Sequence, residues 1–105
     1  MQDTRVFMLL TVTVGANRRE FNAAWTKESL PYWERYCRHI GSFTANPYAG
    51  GPSNQIVRLF EFESLERWTE WQKWLHFTPE GTALRTSLAR FDIVVEAKLM
   101  APAPV

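Results

Sequence analysis

The chain has 105 residues, 46% apolar and 22% charged, with a formal net charge of +1. That length suits one domain with one core. The composition excludes a disordered chain, and with no basic run it argues against nucleic-acid binding.

"RVFMLLTVTV" (5–14) is rich in β-branched and apolar residues and predicts a strand. Its even positions, Val6, Met8, Leu10, Val12 and Val14, are all apolar, and the odd face adds Phe7 and Leu9. Gly15-Ala16 ends it, and Asn17 with Glu20 predicts a capping box opening a helix. Phe21, Trp25, Tyr32 and Tyr36 recur at intervals of four or seven, with a kink or two abutting helices expected at Pro31. A second strand is expected over 39–45, and the turn formers of 46–54 predict a long loop. "QIVRLFEF" (55–62) predicts a third strand with Ile56, Arg58, Phe60 and Phe62 on one face. Ser64 can cap the next helix, and Thr78-Pro79-Glu80 opens a further one. "FDIVVEAKL" (91–99) alternates, with Phe91, Ile93, Val95, Ala97 and Leu99 inward and Asp92, Glu96 and Lys98 outward. Residues 1–100 form the expected domain, and "APAPV" (101–105) is expected to be a loose tail.

The order β-α-β-β-α-β, with the second helix broken or doubled, predicts an α+β ferredoxin-like fold: a four-stranded antiparallel sheet with helices on one face. The first and third strands carry apolar residues on both faces, so the uncovered face needs a partner. A second copy is the simplest one, giving a sheet-to-sheet homodimer, a dimeric α+β barrel. Cys37 is the only cysteine, which rules out an intrachain disulfide and a cysteine-based zinc site and favours a reducing compartment. The first residues lack the regions of a signal peptide, and no apolar run approaches the roughly 20 residues that span a bilayer. A cytoplasmic protein without membrane insertion is expected.

The stretch "GSFTANPYAGGPSNQIVRLFEFESLERW" (41–68), and within it "SNQIVRLFEFESLERW", resembles the NIPSNAP family of the dimeric α+β barrel superfamily. Asn54-Gln55 opens the strand, Phe60 and Phe62 form the aromatic pair, and Ser64-Leu65 begins the helix leading to Arg67. The closing "KLMAP" (98–102) is similar to the family's usual end, and the resemblance extends over roughly residues 5–102. It implies the fold and the dimer, but no catalytic residue. Proteins of similar fold in the superfamily include cofactor-independent monooxygenases of polycyclic aromatics, haem-degrading enzymes and stress-response proteins, so the fold alone does not choose a function.

Candidate chemistry rests on few residues. His39 and His76 are each without a second His or Cys at metal-ligand spacing, so no metal site is expected. Each is either a hydrogen-bonded histidine or a general base for an activated aromatic hydroxyl. Arg58 sits mid-strand on the apolar face, paired with Glu96 or Asp92 or else binding a carboxylate or enolate. Trp25, Tyr32, Tyr36 and Trp74 are either core or the walls of an aromatic-lined cavity, as is Trp33. Cys37 reads as a plain free thiol, and Glu61, Glu63, Glu66 and Glu70 as solvent-facing. Gly50-Gly51-Pro52 joins two strands and fails as a dinucleotide fingerprint, and no Gly-x-Ser-x-Gly elbow is present. These residues suit a homodimeric protein that binds a small apolar or aromatic molecule, with cofactor-independent oxygenation as its chemical extension. The competing reading is a non-catalytic adaptor acting through its dimer surface.

The helix over 65–77 carries Trp68, Trp71 and Trp74. At about 100° per residue, Trp68 aligns with Leu65, Gln72 and Leu75 and is expected to be core. Trp71 is expected at the border with Arg67 stacked on it, and Trp74 beneath the segment after Pro79, a partner or a ligand. Glu66 and Glu70 on the polar side exclude a membrane-surface helix.

Overall fold

A computed structural model describes residues 3–44 and 54–103. Its elements are β1 (Val6–Val14), α1 (Arg18–Glu28), α2 (Leu30–Trp33), β2 (Arg38–Thr44), β3 (Gln55–Phe62), α3 (Leu65–Phe77), α4 (Pro79–Leu88) and β4 (Ile93–Met100). The strands form one antiparallel sheet in the order β2-β3-β1-β4, the expected α+β ferredoxin-like topology with both helices doubled. The loop expected over 46–54, including Gly50-Gly51-Pro52, lies outside the described residues except for Asn54.

The local signals explain most boundaries. Ser64 Oγ accepts from the Arg67 amide (3.2 Å), and Thr78 Oγ1 from the Gly81 amide (3.0 Å), so both predicted caps close their helices. Pro31 falls in the first turn of α2, where a missing amide costs nothing, and the chain makes two abutting helices. The capping box at Asn17 does not form: Asn17 is left-handed (φ 58°) and its side chain caps nothing. That conformation turns the chain sharply out of β1, and backbone capping from Phe21 N to Asn17 O (2.9 Å) takes over. Phe91 also leaves the predicted strand. It lies in a 3-10 turn over Ala89–Phe91, ended by left-handed Asp92 (φ 51°), and packs edge-on against Phe21.

Period-two alternation and register place the core. Val6, Met8, Leu10, Val12 and Val14 of β1 and Ile56, Arg58, Phe60 and Phe62 of β3 are buried beneath the helices. Trp33 of α2 stacks on Phe60 (4.0 Å between ring centres) and meets Trp71 of α3 at 4.3 Å. The tryptophan stripe is therefore rotated from its predicted orientation. Trp71 is 0% exposed, Trp68 is half-buried and Leu65 is exposed. The cause is α2, whose aromatic residues seat on Trp71 and Trp74, a pairing that α3's own periodicity cannot reveal. Arg67 lies over the ring of Tyr36 (4.8 Å), not over Trp71.

α4 folds back tightly on α3. A side chain at Gly81 would collide with backbone atoms of Trp74 and Leu75, Leu75 O standing only 2.6 Å from the position a Cβ would take. The opposite face of the sheet carries no helix. Phe7, Leu9, Val57, Leu59, Phe43 and Val94 share it by register, with Phe43 57% and Val94 62% exposed. On its border Glu61 pairs with Arg5 (2.8 Å) and Arg38 (3.0 Å), which together hold its carboxyl below the usual range, Arg38 most strongly.

Candidate functional site

The helices do not cover the whole sheet. Register puts Ile93, Val95, Ala97 and Leu99 of β4 opposite Val14, Val12, Leu10 and Met8, on the helix side as predicted. Yet Val95 is 49% exposed, because no helix packs closely over the edge strand. The space left is a cleft of about 510 Å³. Its apolar walls come from Met8, Leu10, Trp33, Leu75, Ile93 and Val95. Its polar groups are Gln72 and His76 on α3, Arg85 on α4 and Asp92 at the start of β4.

Local structure fixes several of these groups. Gln72 and His76 are one turn apart on the same stripe of α3, so both face the cleft. Arg85 Nε donates to Leu75 O (3.1 Å), which ties the guanidinium to the last turn of α3. Asp92 is turned toward the cleft by its left-handed backbone, and its carboxyl packs over Gly15, where a Cβ would lie 2.6 Å from Oδ2. An apolar slot with an imidazole, a guanidinium, an amide and a carboxylate at its rim suits a flat apolar molecule carrying a polar group.

The predicted site residues divide into three places. His76 lines the cleft, with Trp33 in its wall. Tyr32, Tyr36 and Trp74 pack on one another instead: Trp74 stacks on Tyr32 (4.9 Å) and Trp71 (5.4 Å), with Tyr36 at 6.5 Å. Trp74 is thus faced by Tyr32 of α2 and by Tyr36 in the turn after it. His39, Arg58 and Trp25 form the third group, beneath α1.

In that group, Arg58 is 1% exposed. Its guanidinium lies 3.6 Å from the ring centre of Trp25, Nη1 donates to Ser42 Oγ (2.7 Å), and Nη2 donates to Asn22 Oδ1 (2.9 Å). The expected pairing with Glu96 or Asp92 does not occur within the chain. Glu96 lies on the opposite sheet face by register, and Asp92 is at the cleft, two strands away. Burial lowers the Arg58 pKa to about 10, which leaves it a cation at neutral pH. A β-bulge between His39 and Gly41 matters here. Residues three apart normally point to opposite faces, but the extra residue brings His39 and Ser42 to the same one, with His39 Nε2 2.9 Å from Ser42 Oγ. Burial, then the charge of Arg58, lowers the His39 pKa.

Cys37 is inert by position: Sγ donates to Trp33 O (3.3 Å), and burial pushes the thiol up to about 12. Among the described residues no cluster of His, Cys, Asp and Glu could hold a metal ion, and no helix is long and apolar enough to cross a membrane. Arg85 and Gln72 were not singled out by the sequence as site residues, and Asp92 only as a partner for Arg58. Exposed helical polar residues look alike until the helix's neighbours are known.

No family model matches the sequence, and no curated protein matches it. Solved structures do match in fold. A NIPSNAP-like domain protein from Burkholderia xenovorans is 23% identical, covering 97% of this chain and 88% of its own, with a TM-score of 0.78. A variant of SnoaB, a cofactor-independent oxygenase from Streptomyces nogalater, is 15% identical, covering 99% and 97%, with a TM-score of 0.76. A dimeric ferredoxin-like protein from an uncultured marine organism is 17% identical, covering 95% and 96%, with a TM-score of 0.75. The chain therefore has the fold of NIPSNAP-like, ferredoxin-like proteins.

Proposed function

We propose that this protein binds a flat apolar or aromatic molecule bearing an ionisable hydroxyl in the cleft between α3, α4 and β4, and acts on it as a cofactor-independent oxygenase. The observation that carries this reading is the convergence of His76, Arg85 and Gln72 on one apolar slot of about 510 Å³, a volume within the range of small-molecule sites. A cleft of that size also favours a ligand-binding protein over a pure adaptor. The oxygenase fold match supports the reaction class.

In this reading the ring lies against Trp33 and over Leu10 and Val95, where burial removes water from it. His76 accepts the proton that leaves as the enolate forms, and the Arg85 guanidinium faces the developing oxyanion. The enolate carbon then reduces O2. Overall a ring CH2 and O2 give a ring C=O and water: the carbon supplies four electrons, one oxygen atom stays on it, and the other leaves as water with the proton returned from His76. No external reductant is required.

The working unit is a homodimer closed through the open sheet face. Leu9, Val57, Leu59 and Phe43 there need a cover, and the dimeric neighbour has the same fold. Static light scattering at micromolar concentration is expected to give twice the chain mass; a monomer would reject the assembly. For the activity, oxygen uptake with a panel of hydroxylated polycyclic aromatics should be saturable and lost in His76→Gln. Binding without uptake across the panel would reject oxygenation and keep the binding site.

A further inference from the structure

The buried Arg58 points to a second site, on the other side of the molecule. Its hydrogen-bond partners are neutral, its Nε has none, and no carboxylate lies within ion-pair distance of it among the described residues. The residues outside the described ones, 1–2, 45–53 and 104–105, contain no Asp or Glu, so no side-chain carboxylate of this chain compensates it. A buried cation without a counter-charge is costly, and stacking on Trp25 offsets only part of that. The same two partners, Asn22 and Ser42, open onto a surface pocket of about 440 Å³ between the first turns of α1 and strand β2. Arg18, Arg19, Thr44, Phe43 and Ile56 complete its described lining, which includes no acidic residue. Positive charge therefore stands at the rim and one hydrogen bond behind the floor.

The floor is also oriented. Asn22 gives its Oδ1 to Arg58, so its side-chain NH2 is the group left to face outward. Ser42 Oγ accepts from Arg58 and is held by His39, a geometry that depends on the bulge in β2.

We propose that this pocket binds the oxyanion group of a small molecule, a carboxylate or phosphate, held by Asn22, Ser42 and the arginine rim and neutralising Arg58 from one hydrogen bond away. The occupant needs no aromatic ring, and this site is independent of the cleft beside β4.

The test is an NMR titration of the full chain with sodium phosphate and, separately, sodium acetate, against sodium chloride at matched ionic strength. Saturable shifts are expected at the Asn22 side-chain amide and the Ser42 amide with at least one oxyanion and not with chloride. Whichever saturates identifies the group. Affinity should fall at least tenfold in Arg58→Gln, which keeps hydrogen-bonding capacity but removes the charge, and two- to fivefold in the exposed-rim variant Arg19→Ala. Should Arg58→Gln fail to fold, Ser42→Val decides by the same tenfold criterion. Shifts that stay linear with concentration, or an affinity unchanged in these variants, would overturn the proposal and leave Arg58 as a packing residue.

Discussion

The two halves of the sheet's helix-side face are dressed differently. Over β3 and its neighbour β1, Trp33, Phe60 and Trp71 stack in contact and are buried. Over β4, residues on the same face and in register with the core remain accessible because no helix reaches them. The alternating sequence of β4 matches that of a strand packed beneath helices, so alternation reports which face a residue occupies and not whether anything covers it. On the proposed function, the difference separates a stabilising region from the cleft that receives the ligand.

Mutations can break that division. Trp71→Ala should remove about 3–5 kcal/mol of stability, read by urea unfolding at fixed protein concentration, and Trp68→Ala distinctly less, since Trp68 is only half-buried. Equal losses would mean that the packed half extends further than drawn. His76→Gln should lower turnover by about 10²–10⁴-fold and leave stability within about 0.5 kcal/mol, as fits an exposed cleft residue. Gly81→Ala should cost about 1–3 kcal/mol by forcing α4 off α3, and a neutral result would contradict the close approach. Val95→Trp fills the cleft from an exposed strand. Ring binding should weaken about tenfold or more, about 1.4 kcal/mol, with melting temperature nearly unchanged.

The smallest effect is a pH dependence belonging to the covered half. His39 has a lowered pKa because burial and Arg58 disfavour its charged form. Below its ordinary value of 6.5 the unfolded chain therefore takes up the proton first, and stability falls as pH drops from there toward the lowered folded value. His39→Gln should flatten the unfolding free energy across that window, before the carboxylates begin to titrate. An unchanged slope would show that the imidazole is not held in this environment.

Much of the fold was legible in the residues, and less of the site. Ser64 and Thr78 announced their helices, Pro31 the break, and the two-faced apolar strands the open sheet. These are local signals or period-two patterns that survive without knowledge of neighbours. The orientation of the tryptophan stripe was not legible, because α2 and not α3 decides which indole is buried. His76 was recognisable as a candidate, but not its company: Arg85 and Asp92 reach the cleft only because α4 folds back at Gly81 and β4 begins at a left-handed residue. Arg58 stood out as a buried charge, whereas its neutral partners depended on a β-bulge that "RHIGSFT" does not advertise.

The claim that the β4 side is a ligand cleft is tested most directly by a crystal structure of the protein soaked with a hydroxylated polycyclic aromatic. The ring should lie between Trp33 and Val95 with its hydroxyl directed at His76 and Arg85. A ring bound on the open sheet face or against Tyr32 and Trp74, or an empty cleft at saturating ligand, would contradict it.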